Sequence, residues 1–311
     1  MLRGMTHDGE ANHESVARRV GPAGIDIVYV RSGDPGAPVV LLIMGLAAQL
    51  IHWPEAVWRG LVDAGLQVIR FDNRDSGRST HMHAAPAADL PAVMAGDRRS
   101  VSYTLRDMAG DAVGLLDALG IEQAHVVGCS MGGAIAQTLA IEHPRRVRSL
   151  TSIMFTTGDM TVGQPHPEAL RSLFAGPPAT TREEVVAQAL RAGQAIGSTG
   201  FALDEAEIAE RAGRAFDRGY DRAAIARQAA ATVASGDRTQ GLAGLAVPAL
   251  VVHGLADRMC DASGGRATAA AIPGAELWLV EGLGHDLPPA FRPALVERIV
   301  AHVRRAEARR G

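Results

Sequence analysis

No lysine occurs anywhere in the 311 residues, so all 31 basic side chains are arginine. That excludes Schiff-base chemistry on a lysine, a lysine general base and a Walker-type phosphate loop. Cysteine is nearly as scarce. Cys129 and Cys260 are too few for a disulfide framework and lack metal-ligand spacing, and Cys129 is expected to pack as a small apolar side chain. Charge of one sign is also missing: 31 basic against 34 acidic residues leave a net charge of −3, which excludes a nucleic-acid or anionic-membrane partner driven by charge. No apolar run approaches the roughly 20 residues needed to span a bilayer. The stretch Met1 to Ser15 is polar (His7, Asp8, Glu10, His13, Glu14) and lacks the apolar centre of a signal peptide. Residues 1–20 are therefore expected to form a disordered tail on a soluble, cytoplasmic protein.

A composition of 47% hydrophobic residues supplies ample core for one large α/β domain with an inserted subdomain. Ile25–Val30 alternates like a half-exposed strand, and Ser32–Gly36 turns it back. Val39–Met44 is continuously apolar, as a parallel strand covered on both faces must be. A helical pattern over Glu55–Ala64 stops at Gly65, Gln67–Phe71 reads as the next strand, and Thr104–Leu119 as a helix ending at Gly120. Between about Thr156 and Gly241 the rhythm changes. Helical spacing recurs at Thr181–Ile196, Asp204–Phe216 and Arg222–Ala234 with no strand between. Strands then return at Ala249–His253 and Glu276–Val280, followed by a helix over Pro293–Arg305 and a frayed basic end. The expected organisation is a mostly parallel sheet flanked by helices, its core drawn from residues 21–155 and 242–311, with an all-helical cap at 156–241.

The segment His125–Ala134 carries the chemistry. An apolar strand ends in Gly128-Cys129-Ser130-Met131-Gly132, and helical spacing resumes at once. That strand–Gly-x-Ser-x-Gly–helix context is the one a nucleophile elbow requires. A serine hydroxyl needs a base, and the base needs an orienting carboxylate. In open α/β sheets such groups come from loops at the carboxyl ends of strands. His285, in Gly282-Leu283-Gly284-His285, follows the last strand, and Asp257 follows the one before it. Ser130, Asp257 and His285 thus become the expected catalytic residues, with Asp261 an alternative carboxylate and Asp286 expected to cap the following turn. The backbone N–H groups of Met131 and Leu46, the latter in the loop Met44-Gly45-Leu46, are the expected donors to an oxyanion.

Other features read more plainly. His81-Met82-His83 has no acidic residue at close spacing, so no metal site is expected. Asp72, Arg74 and Asp75 are expected to form a charge network shaping their loop. Trp53 and Met44 are candidates to line a substrate pocket.

With those residues in place, the chain resembles the α/β-hydrolase superfamily from about Gly21 to Val303. Met44–Gln49, Trp53-Pro54 and Val68–Ser79 are similar to the aclacinomycin methylesterase group of bacterial hydrolases, in which a Met-Gly pair also stands before the oxyanion loop. The resemblance implies esterase activity on a small-molecule ester, with Ser130, Asp257 and His285 as the triad and no metal or organic cofactor. Ser rather than Asp at the elbow argues against epoxide hydrolase and dehalogenase chemistry. Rival expectations are a carbon–carbon bond hydrolase, lactonase or cofactor-free perhydrolase using the same residues, or a ligand-binding protein on a hydrolase scaffold. The sequence sets neither substrate nor oligomeric state.

Overall fold

A computed structural model describes residues 13–173 and 179–309. Its strands are β1 (Ser15–Val20), β2 (Ile25–Ser32), β3 (Val39–Ile43), β4 (Gln67–Phe71), β5 (Ala124–Cys129), β6 (Val147–Ile153), β7 (Ala249–Gly254) and β8 (Glu276–Val280). They form one sheet in the order β1-β2-β4-β3-β5-β6-β7-β8. β2 pairs antiparallel with both β1 and β4, and the pairings from β4–β3 to β7–β8 are all parallel.

Alternation along the strands divides the core. Leu41, Ile43, Ile69 and Val126 enter one apolar cluster, while Val40, Leu42, Val68 and Val127 enter the other. The first face is covered by α3 (Leu105–Ala118) and α4 (Met131–Glu142). The second is covered by α1 (Glu55–Asp63) and the C-terminal α11 (Arg292–Ala308). Continuous apolar strands are the consequence of burial on both sides. The short α2 (Leu90–Met94), unsignalled by periodicity, starts where the Asp89 side chain accepts the Ala92 N–H.

Between β6 and β7 lie α5 (Pro167–Leu173), α6 (Arg182–Ile196), α7 (Glu205–Arg218), α8 (Arg222–Ala234) and α9 (Thr239–Ala243). The three long helices start where expected because Thr181, Asp204 and Asp221 each accept a backbone N–H of the first turn. No strand occurs among the described residues of this insertion. A final helix, α10 (Ala262–Ala271), was missed by periodicity. Its only large side chain is Arg266, so no apolar stripe announces it.

The expected tail over residues 1–20 is corrected. Ser15–Val20 is an edge strand, turned back through Gly21 and Gly24 at positive φ, with Ala17 and Val20 buried. Residues 1–12 lie outside the described residues. At the other end, the helix continues to Ala308 rather than fraying after Arg305, and Ala306 is buried in it.

His125, fully buried on β5, faces the Ser149 hydroxyl at 2.9 Å. Burial pushes its pKa down to about 4 against the pull of Glu307. The unfolded imidazole takes its proton near 6.5 while the folded one stays neutral. The stability this contributes is therefore complete above pH 6.5 and lost as the pH falls through 4. Roughly 2 kcal/mol should be gone by pH 5. Urea unfolding at pH 7 and pH 5 should show a smaller pH difference in His125→Asn than in wild type; equal differences would contradict it.

Candidate active site

Ser130 sits between the end of β5 and the start of α4 with φ 54° and ψ −127°, a region that costs a non-glycine residue on the order of 1–3 kcal/mol. Neighbouring backbone holds it there. The Ser130 N–H donates to Ile153 O at 2.9 Å, and Ser130 O accepts the Gly133 N–H at 2.7 Å. A Cβ on Gly128 would lie 2.0 Å from Gly132 O, and one on Gly132 2.1 Å from Ile43 O. Both glycines of the motif are thus required by close approach of backbone to backbone, as the sequence implies.

His285 and Asp257 arrive from the two neighbouring loops on the same sheet edge. His285 Nε2 lies 2.9 Å from Ser130 Oγ, and His285 Nδ1 lies 2.8 Å from Asp257 Oδ2. The Asp257 side chain is buried, and its other oxygen accepts the N–H groups of Met259 and Cys260, each at 2.8 Å. Asp261, the alternative carboxylate, is instead spent on the first turn of α10, accepting the Ser263 N–H. Asp286 does not cap its own turn: it accepts the Ser198 hydroxyl at 2.5 Å. The insertion also supplies Ile196 O to the His285 N–H at 2.7 Å, and the Ser198 hydroxyl to the Gly284 N–H at 2.9 Å. The end of α6 and the residues just after it therefore fix the histidine loop. Cys129, next to the serine, is buried and its thiol is pushed up to about 12 by burial, which leaves it unreactive.

The loop Met44–Gln49 packs against the serine: a Cβ on Gly45 would lie 3.0 Å from Ser130 Cβ. Side chains from two other segments grip this loop. Asn73 Nδ2 donates to Met44 O at 2.9 Å, Ser76 Oγ to Ala48 O at 2.7 Å, and Gln228 Oε1 accepts the Ala47 N–H at 3.0 Å. Gln228 is itself fixed, donating to Arg74 O at 2.8 Å. Ala47, at φ 59°, is held in a left-handed conformation by this grip. Leu46 between these anchors is 41% exposed and stays outside the apolar core. Met44 and Trp53, by contrast, are core side chains, packed with Val127, Cys129 and Leu250. Their reading as pocket residues is corrected.

Asp72, Arg74 and Asp75 of the loop after β4, expected to form a charge network shaping that loop, each reach a different helix. Arg74 forks onto Asp111 of α3 at 2.5 and 2.7 Å. Arg218 of α7 reaches Asp72 at 2.9 Å and Gln49 at 2.6 Å. Arg227 of α8 forks onto Asp75 at 2.7 and 2.8 Å, and the Tyr103 hydroxyl adds a third bond at 2.7 Å. Burial works against the Asp75 charge, yet Arg227, the Met82 N–H and Tyr103 hold its carboxyl below the usual range. Between these ties and the insertion lies a cavity of about 260 Å³, lined by Ala47, Val185, Ala189, Phe216, Tyr220 and Ile225 among others.

This arrangement has a recorded counterpart. Residues 38–288 match the alpha/beta hydrolase fold family. The chain belongs to that family. It is 29% identical to rhodomycin D methylesterase DauP of Streptomyces sp. (strain C5) over 296 residues, covering 88% of this chain and 93% of that protein. Rhodomycin D methylesterase DnrP of Streptomyces peucetius matches over the same extent at 29%. The similarity to methylesterase-like hydrolases anticipated from Met44–Gln49 and Val68–Ser79 is therefore borne out. Among solved structures, a putative aryl esterase from Burkholderia cenocepacia superposes with a TM-score of 0.73 at 17% identity, over 95% of this chain and all of that one, and shares the fold. Among the described residues, no helix is long and apolar enough to cross a membrane.

Arg227→Met would leave Asp75 buried without its fork. Urea unfolding should show a loss of about 3–5 kcal/mol; a loss under about 1 kcal/mol would mean that the tie between insertion and core is dispensable.

Proposed function

We propose that this chain is a serine hydrolase that cleaves a carboxylic ester of a small-to-medium, largely apolar substrate through an acyl-enzyme. The observation that carries this reading is the continuous hydrogen-bonded relay from Ser130 Oγ through His285 to Asp257, at 2.9 and 2.8 Å.

The relay has a direction. With Asp257 acting only as an acceptor, the imidazole carries its hydrogen on Nδ1 and turns the Nε2 lone pair to the serine hydroxyl. As Ser130 Oγ attacks the ester carbonyl, Nε2 takes the hydroxyl proton, and Asp257 stabilises the resulting imidazolium. The C–O bond to the alcohol then breaks, Nε2 returns the proton to the leaving oxygen, and Ser130 keeps the acyl group. Water, deprotonated by the same nitrogen, then attacks the acyl carbon; the bond from that carbon to Ser130 Oγ breaks, Nε2 returns the proton to Oγ, and the acid leaves with the serine restored. Through both halves the Met131 and Leu46 N–H groups bind the tetrahedral oxyanion, Met131 at the positive end of α4. The Gly45 contact with Ser130 supports Leu46 in this role. Gln228 is a positioning residue, setting the loop through the Ala47 N–H.

In this reading the helices after β6, within residues 156–241, form a cap over the sheet domain of 21–155 and 242–311, to which β1 is added. The cavity between them receives the apolar part of the substrate. The Asp-nucleophile chemistry of epoxide hydrolases is set aside because serine stands at the elbow.

A p-nitrophenyl acyl ester should give a burst of about one equivalent of p-nitrophenolate per chain. Ser130→Ala should abolish it and lower turnover at least ~10³-fold, and Asp257→Asn should lower kcat on the order of 10³–10⁴-fold. Wild-type rates across esters, β-diketones and lactones that favour another class at equal concentration would overturn the ester assignment. Gln228→Ala should lower kcat about 10-fold with KM little changed; an unchanged kcat would remove Gln228 from the account.

A further inference from the structure

We propose that His81, His83 and Asp221 form a binding site for a divalent transition-metal ion, zinc fitting best, that ties the helical insertion to the sheet domain. Each of the three side chains offers one ligand atom, and these atoms all lie within 4.8 Å of one another. His81 Nδ1 lies 3.3 Å and His83 Nδ1 3.6 Å from Asp221 Oδ2. Zinc–ligand bonds of about 2.0–2.1 Å in tetrahedral geometry put adjacent donors about 3.4 Å apart. Two edges of the triangle already have that length. The imidazole pair selects a borderline metal over magnesium or calcium.

Hydrogen bonding sets the orientation. Gly77 O can only accept, so His81 Nε2, 3.0 Å away, must be its donor. In the neutral ring Nδ1 then turns a lone pair toward the carboxylate oxygen, an acceptor facing an acceptor, which a cation between them resolves. A ligand histidine whose other N–H donates to a backbone carbonyl is the arrangement that fixes a metal-binding tautomer. The surroundings are set as well. Asp221 Oδ1 is occupied by the N–H groups of Ala223 and Ala224, leaving Oδ2 for the site. The Thr80 N–H donates to Asp26 O and the Met82 N–H to Asp75 Oδ1, which fixes the loop on either side of His81. His83 is 77% exposed and stacked on His81, so a side-chain rotation closes the third edge. Arg227, whose NH2 lies 3.5 Å from Asp221 Oδ2, and the α8 N-terminus oppose a cation, so the affinity is expected to be micromolar rather than structural in strength. Three protein ligands leave a fourth position for water.

His81 and Asp221 stand 140 residues apart in sequence, one in the sheet domain and one at the N-cap of α8. An ion there would add a link beside the Arg227–Asp75 fork, on the helix that also carries Gln228.

Calorimetric titration of the full, tag-free chain with zinc chloride should give about one saturable equivalent. Thermal melts at saturating zinc should rise by several degrees. His83→Ala should weaken binding at least 10-fold while its metal-free melt stays that of wild type, because the side chain is exposed. His81→Ala should behave likewise toward zinc, and magnesium chloride should give no saturable heat. No saturable zinc heat in wild type, as when a proton alone sits between His81 and Asp221, would overturn the proposal. So would an affinity unchanged in both histidine variants, which would locate the zinc elsewhere, or magnesium binding as tightly as zinc.

Discussion

Everything at the carboxyl edge of this sheet depends on how closely three backbone segments approach one another around Ser130. With Gly132 packed against Ile43 O and Gly128 against Gly132 O, the turn has no room for side chains and no freedom to relax. The serine is therefore held at positive φ, and its hydroxyl is directed away from the core toward the histidine. Strain of on the order of 1–3 kcal/mol is sustained because the apolar clusters on both faces of the sheet fix β3 and β5 side by side. The proposed chemistry follows from that fixed geometry: a nucleophile that cannot turn away, beside a base whose orientation is set by a buried carboxylate.

The second constraint is polar. Beside apolar contacts such as Ala230 and Ala234 with Val93, and Phe201 with Phe291, the helical insertion is tied to the sheet domain by arginine forks and one glutamine. Arg218, Arg227 and Gln228 reach the loops after β4 and β3, so the elements that frame the Met44–Gln49 loop are drawn from both parts of the chain. The end of α6 and the residues just after it do the same for the histidine loop through Ile196 and Ser198. Each forked pair is costly to break from one side and specific in geometry, which suits holding the insertion in one register against the sheet domain.

What could be read from sequence divides along the same line. The elbow was legible because its determinants are local: an apolar strand, two glycines and a helix within ten residues. Asp257 and His285 were legible because the fold delivers them at strand ends, and the preference for Asp257 over Asp261 matches the geometry, since Asp261 begins α10. The long helices of the insertion announced themselves by spacing. The ties between insertion and core were not legible. Arg227 and Asp75 lie 152 residues apart, and Gln228 and Ala47 181, with no local pattern linking either pair. Asp221 was invisible as a partner of His81 for the same reason. Trp53 was misread because an aromatic next to a loop looks alike in sequence whether it faces a cleft or the core. The edge strand at Ser15–Val20 was hidden by its polar, arginine-containing composition, which an edge tolerates.

The most direct test of the central claim is a crystal structure of the protein after reaction with an alkyl fluorophosphonate. The account predicts phosphorus bonded to Ser130 Oγ, with the phosphoryl oxygen about 2.7–3.1 Å from the backbone nitrogens of both Leu46 and Met131. Phosphorus on another side chain, or a phosphoryl oxygen turned away from both nitrogens, would contradict it.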